Sequence, residues 1–297
     1  MLFSQKSAQQ KRIDLSSALK SNKLLRFPGA FSPLVSMLIE QIGFDGVYIS
    51  GAVLSNDLGL PDIGLTTLTE VSSRGRAIAR VTSLPSIIDI DTGFGEILNV
   101  ARSIQEMEEL GISGCHIEDQ VNPKRCGHLD HKNIVDTDVM VKKIKSAAKA
   151  KCDTNFIVIA RTDARSVEGL DKAIQRAKAY VDAGANVIFP EALENESEFE
   201  KFRKEISVPL LANMTEFGKS KLLSYDELKN IGYNIVIYPV TTLRLAMKAV
   251  EDGLIHILKE GSQEIILDKM QNRKELYKII KYKNYNDFDN KIFNFEV

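Results

Sequence analysis

The stretches IGFDGVYIS (residues 42–50) and LGISGCHIE (110–118) share one grammar. A helix-period approach ends at a glycine, and a short apolar run rich in β-branched residues follows. AGANVIFPE (183–191) and IGYNIVIYP (231–239) repeat it. Glycine just past a helix supplies a left-handed cap, and such a run reads as a strand buried on both faces. LRFPGA (25–30), SIIDID (86–91), FIVIART (156–162) and PLLANMT (209–215) are further strand candidates, which makes eight. Between them SPLVSMLIEQ, EILNVARSIQEMEEL, DVMVKKIKSAAKA and LDKAIQRAKAYVDA place apolar residues at i, i+3/i+4 and i+7. SYDELKNIG adds a short helix with Ser224 as its N-cap. Strands alternating with helices predict an α/β chain with parallel pairing through right-handed crossovers, most simply a (β/α)8 TIM barrel; a doubly wound open sheet is the alternative. No Pro/Gly/Ser linker divides residues 1–297, so a single barrel domain is expected.

After the eighth strand, residues 241–262 read as one long helix. Residues 257–297 form a helical extension carrying Leu276, Tyr277, Ile279, Ile280, Phe288, Ile292, Phe293 and Phe295. That much apolar surface calls for cover, either by the chain's own barrel or by a neighbouring subunit.

The whole-chain balance narrows the classes. Of 297 residues, 44% are apolar and 27% charged, and the net charge of −1 argues against general affinity for nucleic acid or an anionic membrane. No window approaches the roughly 18 apolar residues of a membrane span. The N-terminal MLFSQKSAQQKRIDL has no apolar h-region and too few basic residues for a good transit peptide. Cys115, Cys126 and Cys152 form no Cys-x-x-Cys pair, which suits a reducing cytoplasm.

In parallel barrels chemistry gathers at the carboxyl ends of the strands. Those ends read Ser50-Gly51, Asp89-Ile90-Asp91, Glu118-Asp119, Arg161-Thr162-Asp163, Glu191, Asn213 to Thr215 and Tyr238. Loops are polar anyway, but this many on one rim exceeds what solvation explains. Asp89 and Asp91, two apart on a strand, point to one side, with Glu118 on the adjacent strand. Such carboxylates repel unless a cation sits between them, and oxygen donors suit Mg²⁺ or Mn²⁺; the plainer reading is that they cap loops or pair with Arg161.

NPKRCGHLDH (122–131) concentrates reactive groups. Zinc would want Cys126, His128 and His131 at spacings that are absent. A thiolate nucleophile would be favoured by Lys124 and Arg125, but lacks a base with a fixed partner. The remaining reading makes Cys126 a proton carrier above a bound anion. Arg161, Asn213, Thr215, Arg125 and His128 suit a substrate with several carboxylates.

KRCGH (124–128), with IDIDTGFG (88–95), HIEDQ (116–120), ARTDA (160–164), FPEA (189–192), ANMTEFG (212–218) and YPVTTLR (238–244), resembles the methylisocitrate lyases of the isocitrate lyase superfamily, in the right order over nearly the whole chain. The phosphoenolpyruvate mutase branch lacks the cysteine, and isocitrate lyases proper read KKCGH and carry a long insertion. The resemblance implies an isocitrate-lyase-type barrel whose last helix is swapped between paired subunits of a cytoplasmic homotetramer. It also implies an Mg²⁺-dependent cleavage of (2S,3R)-2-methylisocitrate to pyruvate and succinate, in the methylcitrate cycle of propionate catabolism. Isocitrate lyase or another carboxylate C–C lyase is the alternative. Carried over residue by residue, Asp89 and Asp91, with Glu118 nearby, would hold the metal. Cys126 and Gly127 would form the catalytic loop, which closes over substrate. Ser50, Gly51, Ala52, Arg161, Glu191, Asn213, Met214, Thr215, Arg244 and Arg273 would bind substrate. Ala52 stands where the family usually has a further glycine. Phe189, Ile237 and Pro239 would face the substrate methyl, and either Tyr48 or metal-bound hydroxide would be the base. RNA binding by the lysines at 274–283 is a weaker alternative, since that run alternates with Tyr277, Ile279 and Ile280 as a packing helix does.

Overall fold

The computed structural model describes residues 4–21, 23–128 and 132–293; His131 and Phe295 lie outside the described residues. Each strand expected from the sequence forms: β1 (Leu25–Pro28), β2 (Val47–Ile49), β3 (Ser86–Asp89), β4 (Gly114–Glu118), β5 (Ile157–Thr162), β6 (Val187–Pro190), β7 (Leu211–Asn213) and β8 (Ile235–Tyr238). All pairings are parallel, in ladders β2-β3-β4-β5-β6 and β1-β8-β7. At the two seams regular pairing gives way to single parallel bridges, Gly29 with Tyr48 and Ile188 with Leu210. Every strand therefore has a neighbour on each side, and β1 lies between β8 and β2, an order that an open sheet does not have.

The helices in chain order are α1 (Ala8–Leu19), α2 (Pro33–Ile42), α3 (Gly51–Asp57), α4 (Leu68–Ala79), α5 (Ile97–Glu109), α6 (Thr137–Ala150), α7 (Arg165–Glu168), α8 (Leu170–Asp182), α9 (Glu196–Glu205), α10 (Tyr225–Ile231), α11 (Thr241–Glu260), α12 (Arg273–Ile279) and α13 (Tyr282–Phe293). The repeat that announces the fold does so through backbone geometry. Gly43, Gly111, Gly184 and Gly232 have φ of 96°, 86°, 107° and 98°, where an L side chain is strained. Ser224 caps α10 as expected, in a reciprocal box with Glu227.

Two apolar layers follow. Phe27, Tyr48, Ile87, Ile159, Phe189, Leu211 and Ile237 fill the barrel. They are joined by Leu15 and Leu19 of α1, which pack with the strand-opening Leu25, Ile157, Val187 and Ile235. This places α1 across the amino-terminal end, opposite the carboxyl ends of the strands. The second layer lies between strands and helices, among them Ile88, Ile104, Ile117, Ile144, Val158, Ile174 and Phe202. Each fully buried side chain of this size contributes about 1.5–3 kcal/mol.

The carboxy-terminal arm differs. No residue of α11 or α13 is buried, and α12 buries Ile279 alone. Leu245, Met247, Leu254, Leu258, Phe288 and Phe293 all face outward. The chain's own barrel leaves most of the arm uncovered. Among the described residues no helix is long and apolar enough to cross a membrane.

Candidate active site

The carboxyl ends of the strands carry a dense set of buried charges. Asp89, Asp91, Glu118, Lys124, Arg161 and Glu191 are all buried there. β3 ends at Asp89, and Asp91 follows in a turn with φ 48°, so their convergence comes from that turn and not from strand alternation. Gly51, which opens α3, shows where they point. A Cβ added there would come within 2.8 Å of Asp89 Oδ2 and 3.2 Å of Asp91 Oδ1. The Gly51 backbone N–H donates to Asp89 Oδ2 at 3.2 Å, and Asp89 Oδ1 accepts from the Asp91 amide at 2.9 Å.

The acids are not equivalent. Burial works against ionised Asp89, but His116, Lys124 and Arg161 outweigh it and hold its carboxyl below the usual range. Burial pushes Asp91 up to about 6 despite the pull of Lys124. Glu118 is pushed well above the usual range by burial, against Arg161 and Lys124. Among the described residues both Glu118 oxygens lack a hydrogen bond, although Arg161 Nη1 stands 3.2 Å from Glu118 Oε2. Buried carboxylate oxygens without donors, beside a cradle that only glycine leaves open, fit a hard cation with oxygen ligands. Among the described residues no three such side chains already surround a common point as a finished metal site.

An ammonium stands at these acids. Lys124 Nζ lies 2.9 Å from Asp91 Oδ1 and 2.5 Å from Asp62 Oδ1, almost fully buried. The sequence reading set Lys124 beside the Cys126 thiol as an activating cation; the structure gives its charge to two carboxylates. Burial then dominates at Cys126 and raises its pKa, helped by Glu191 and Asp62 and opposed by the His128 backbone N–H and Arg161. The thiol keeps its proton, as an acid must.

Segment 122–128 is folded down onto the mouth. Gln120 grips the Arg125 backbone at both ends, accepting from its N–H at 2.9 Å and donating to its carbonyl at 2.8 Å. Lys132 Nζ donates to the Gly127 carbonyl and to Asp163 Oδ1. A Cβ on Gly127 would overlap Arg161 and Glu191. His128 Nδ1 accepts from the Lys219 N–H at 3.0 Å, which leaves Nε2 to face Glu191 Oε1 at 3.0 Å.

Arg161, on β5, is the hub. It donates to Asp163 through Nε and Nη2, and its Nη2 approaches Glu191 Oε2 at 3.4 Å; the guanidinium lies over the Phe189 ring. Asn213 Nδ2 reaches both Glu191 oxygens at 3.3 Å, while its Oδ1 is buried without a partner. Thr215 is buried beside it, whereas the Met214 sulfur turns back to accept from the Leu223 N–H. Ser50 is buried at the start of α3, and Ala52 follows Gly51 on the same turn.

Five expected positions sit differently. Tyr48 Oη shares a 2.7 Å hydrogen bond with His116 Nε2 deep in the barrel, and burial, aided by Asp89, raises its pKa well above 10. The phenol keeps its proton at rest, so to act as base Tyr48 would pass that proton on to His116 as it takes another. Arg244 is bound to the Glu216 carbonyl and carboxylate at 2.6 and 2.9 Å. Arg125 is exposed, and Arg273 opens α12 on the arm, exposed and without a partner at the mouth. Asp119, read from the sequence as a rim acid, accepts from Thr162, Tyr180 and the Asp163 amide and braces the 161–163 turn. The sequence reading missed Asp62, Lys132, His116 and Gln120. Gln120 stands in a quoted motif; Asp62 and Lys132 carry no local signal.

Residues 15–258 match the family described as phosphoenolpyruvate phosphomutase. The chain is 58% identical to a probable 2-methylisocitrate lyase 1 of Corynebacterium glutamicum, over 96% of this chain and 94% of that one. It is 47% identical to a 2-methylisocitrate lyase of Bacillus subtilis, over 91% and 89%. Among solved structures, phosphonopyruvate hydrolase in complex with oxalate and Mg²⁺ superposes with a TM-score of 0.87 at 29% identity, covering 97% of this chain and all of that one.

Proposed function

The chain belongs to the phosphoenolpyruvate mutase family of the isocitrate lyase superfamily, and on that premise we propose that it is a carbon–carbon lyase cleaving (2S,3R)-2-methylisocitrate to pyruvate and succinate. The observation that carries the reading is the placement of Cys126, free and half-buried, on a segment folded over buried acids and a central arginine, where burial raises the pKa of the thiol. A thiol acid is what a lyase needs to quench a carbanion, and the motif around it is the one that separates the lyase branch from the mutases.

Asp89 and Asp91, with Glu118, would hold Mg²⁺, whose charge makes the substrate 2-hydroxyl easier to ionise. With that proton passed to a base, for which Tyr48 backed by His116 Nε2 is the group this chain supplies, the C2–O bond becomes the pyruvate carbonyl and the C2–C3 electrons pass to C3 and its carboxylate. Arg161, Asn213 and Thr215 receive the charge as it develops. Cys126 Sγ then gives its proton to C3, completing succinate. Ser50 and Gly51 hold one substrate carboxylate, while His128 and Glu191 fix the wall opposite. Phe189, whose ring lies under Arg161, and Ile237 supply an apolar floor. An apolar wall there prefers methyl over hydrogen by about 1–3 kcal/mol. Arg244 and Arg273 join the substrate set once freed from Glu216 and once the arm is docked.

The arm is the second part of the proposal. Its exposed Leu245, Leu254 and Leu258 would be covered by a neighbouring subunit in a homotetramer with exchanged helices. The deciding assay compares kcat/KM for 2-methylisocitrate and isocitrate with Mg²⁺ added and then chelated. A preference of tenfold or more for the methylated substrate, lost on chelation and restored by Mg²⁺, supports the reading. Equal rates, or faster cleavage of isocitrate, would move the chain to the sister activity.

A further inference from the structure

Cys126 lies between two main-chain anchors. On one side Gln120 holds both ends of the Arg125 backbone, its Oε1 accepting from the N–H at 2.9 Å and its Nε2 donating to the carbonyl at 2.8 Å. On the other side Lys132 Nζ donates to the Gly127 carbonyl. Both anchors stand on paired chain. The Val121 N–H donates to the Asn133 carbonyl and the Val135 N–H to the Asp119 carbonyl, each at 2.8 Å, and Gln120 forms an antiparallel bridge with Ile134. Lys132 is buried. Asp163 Oδ1 accepts from its Nζ at 2.8 Å, while both Asp163 oxygens also accept from Arg161. Asp163 therefore aims the ammonium, and a second of its three N–H bonds reaches Gly127.

We propose that Lys132 is a positioning residue of this site: its ammonium pins the Gly127 carbonyl and, with Gln120 on the other flank, fixes Cys126 over Arg161 and Glu191. With the residues on both sides held, Cys126 keeps little backbone freedom, and Sγ is presented from one place. The fit beneath is close. A Cβ on Gly127 would overlap Arg161 and Glu191, so the carbonyl that Lys132 grips belongs to the residue that touches them. A reacting group displaced by about 1 Å can lose about 10²-fold in rate. A buried lysine needs a counter-ion, which Asp163 provides; the bond to Gly127 is additional to that pairing. The inference deepens the lyase reading and rests on Cys126 being its acid.

The test is the rate at which iodoacetamide alkylates Cys126 at one fixed pH, read on its own peptide by mass spectrometry. Exposed Cys152 is the internal standard, and buried Cys115 reports that the barrel stays folded. Lys132→Met loses one charge-assisted hydrogen bond, so Cys126 alkylation rises by about tenfold against Cys152. In the same variant kcat falls by about 10²-fold. Removing a cation lowers the thiolate fraction and by itself slows alkylation, so a faster rate reads release of the segment. Lys132→Met/Asp163→Asn removes both charges and separates the anchor from the ion pair. Its urea midpoint recovers towards wild type while alkylation stays fast. An unchanged rate in folded Lys132→Met overturns the proposal, and so does a double variant whose alkylation returns to the wild-type rate. Should Lys132→Met fail to fold, the double variant carries the test against wild type by the same criterion. Fast alkylation with undiminished kcat would keep the anchor and take the thiol out of the reaction, so the inference and the proposed function fail separately.

Discussion

At the barrel mouth, Asp89, Asp91, Glu118, Lys124, Arg161 and Glu191 are buried charges packed against one another, while along α11 not a single residue is buried and leucines face outward. The mouth is polar where the rules of burial call for apolar groups, and the arm is apolar where they call for polar ones. Both depart from what folding alone would select, and the physics of each departure points to what is needed to satisfy it. Buried carboxylate oxygens without donors ask for cations and for a ligand; uncovered leucines ask for another protein surface.

The sharpest way to break this comparison is to remove its hub. Arg161 faces Asp163, Glu118 and Glu191 together. Arg161→Met keeps length and apolar bulk but strands those acids. Removing one partner of a buried pair costs about 3–5 kcal/mol. The variant should lose detectable turnover and unfold at clearly lower denaturant, by circular dichroism with urea. Near-wild-type stability would mean that Lys132 and His128 already suffice for Asp163 and Glu191.

Cys126→Ser separates catalysis from binding at the same mouth. The hydroxyl is a far weaker acid than the thiol, so kcat should fall by about 10²–10⁴-fold while substrate still binds. Isothermal titration beside steady-state kinetics tests this, and a kcat within a few-fold of wild type would remove the thiol from the reaction.

These experiments address residues that differ in how visible they were. The strands were legible because the signal is local: a left-handed glycine such as Gly111, then a β-branched run, is written within nine residues. Cys126 was legible because KRCGH is contiguous. Asp62 and Lys132 were not, since each matters only through a partner brought close by tertiary folding, Asp62 to Lys124 and Lys132 to Asp163. The direction of Lys124 was also hidden. Sequence placed a cation two residues from a thiol, and only the fold shows two carboxylates competing for it. Asp89 and Asp91 share one gap as expected, but through a left-handed turn that alternation does not encode. Helix α9, ESEFEKFRKE, carries a weak local signal, since its buried face is only Phe199 and Phe202 in a charged segment.

At the arm, the comparison turns on whether the exposed leucines are covered in solution. Replacing Leu254 and Leu258 together by aspartate should split the assembly, since each apolar group withdrawn from water is worth about 1.5–3 kcal/mol and each new charge opposes burial. Light scattering on a sizing column should show a smaller particle. A mass unchanged from wild type would leave that face of α11 without an occupant.

The smallest effect marks where the arm is ordinary surface. Lys248 lies on α11 within 2.8 Å of Glu251 and 2.9 Å of Asp252, all three well exposed. Exposed pairs of this kind are worth about 0–1 kcal/mol, because water screens the charges and long side chains lose freedom to meet. Lys248→Ala should leave both the urea midpoint and the assembly size within error. A marked loss of assembly would place that stretch of helix inside the subunit contact, with the ion pairs buried in it. The docked face would then extend past Leu254 and Leu258 around the helix, and the polar side of α11 would have to be counted with the apolar one.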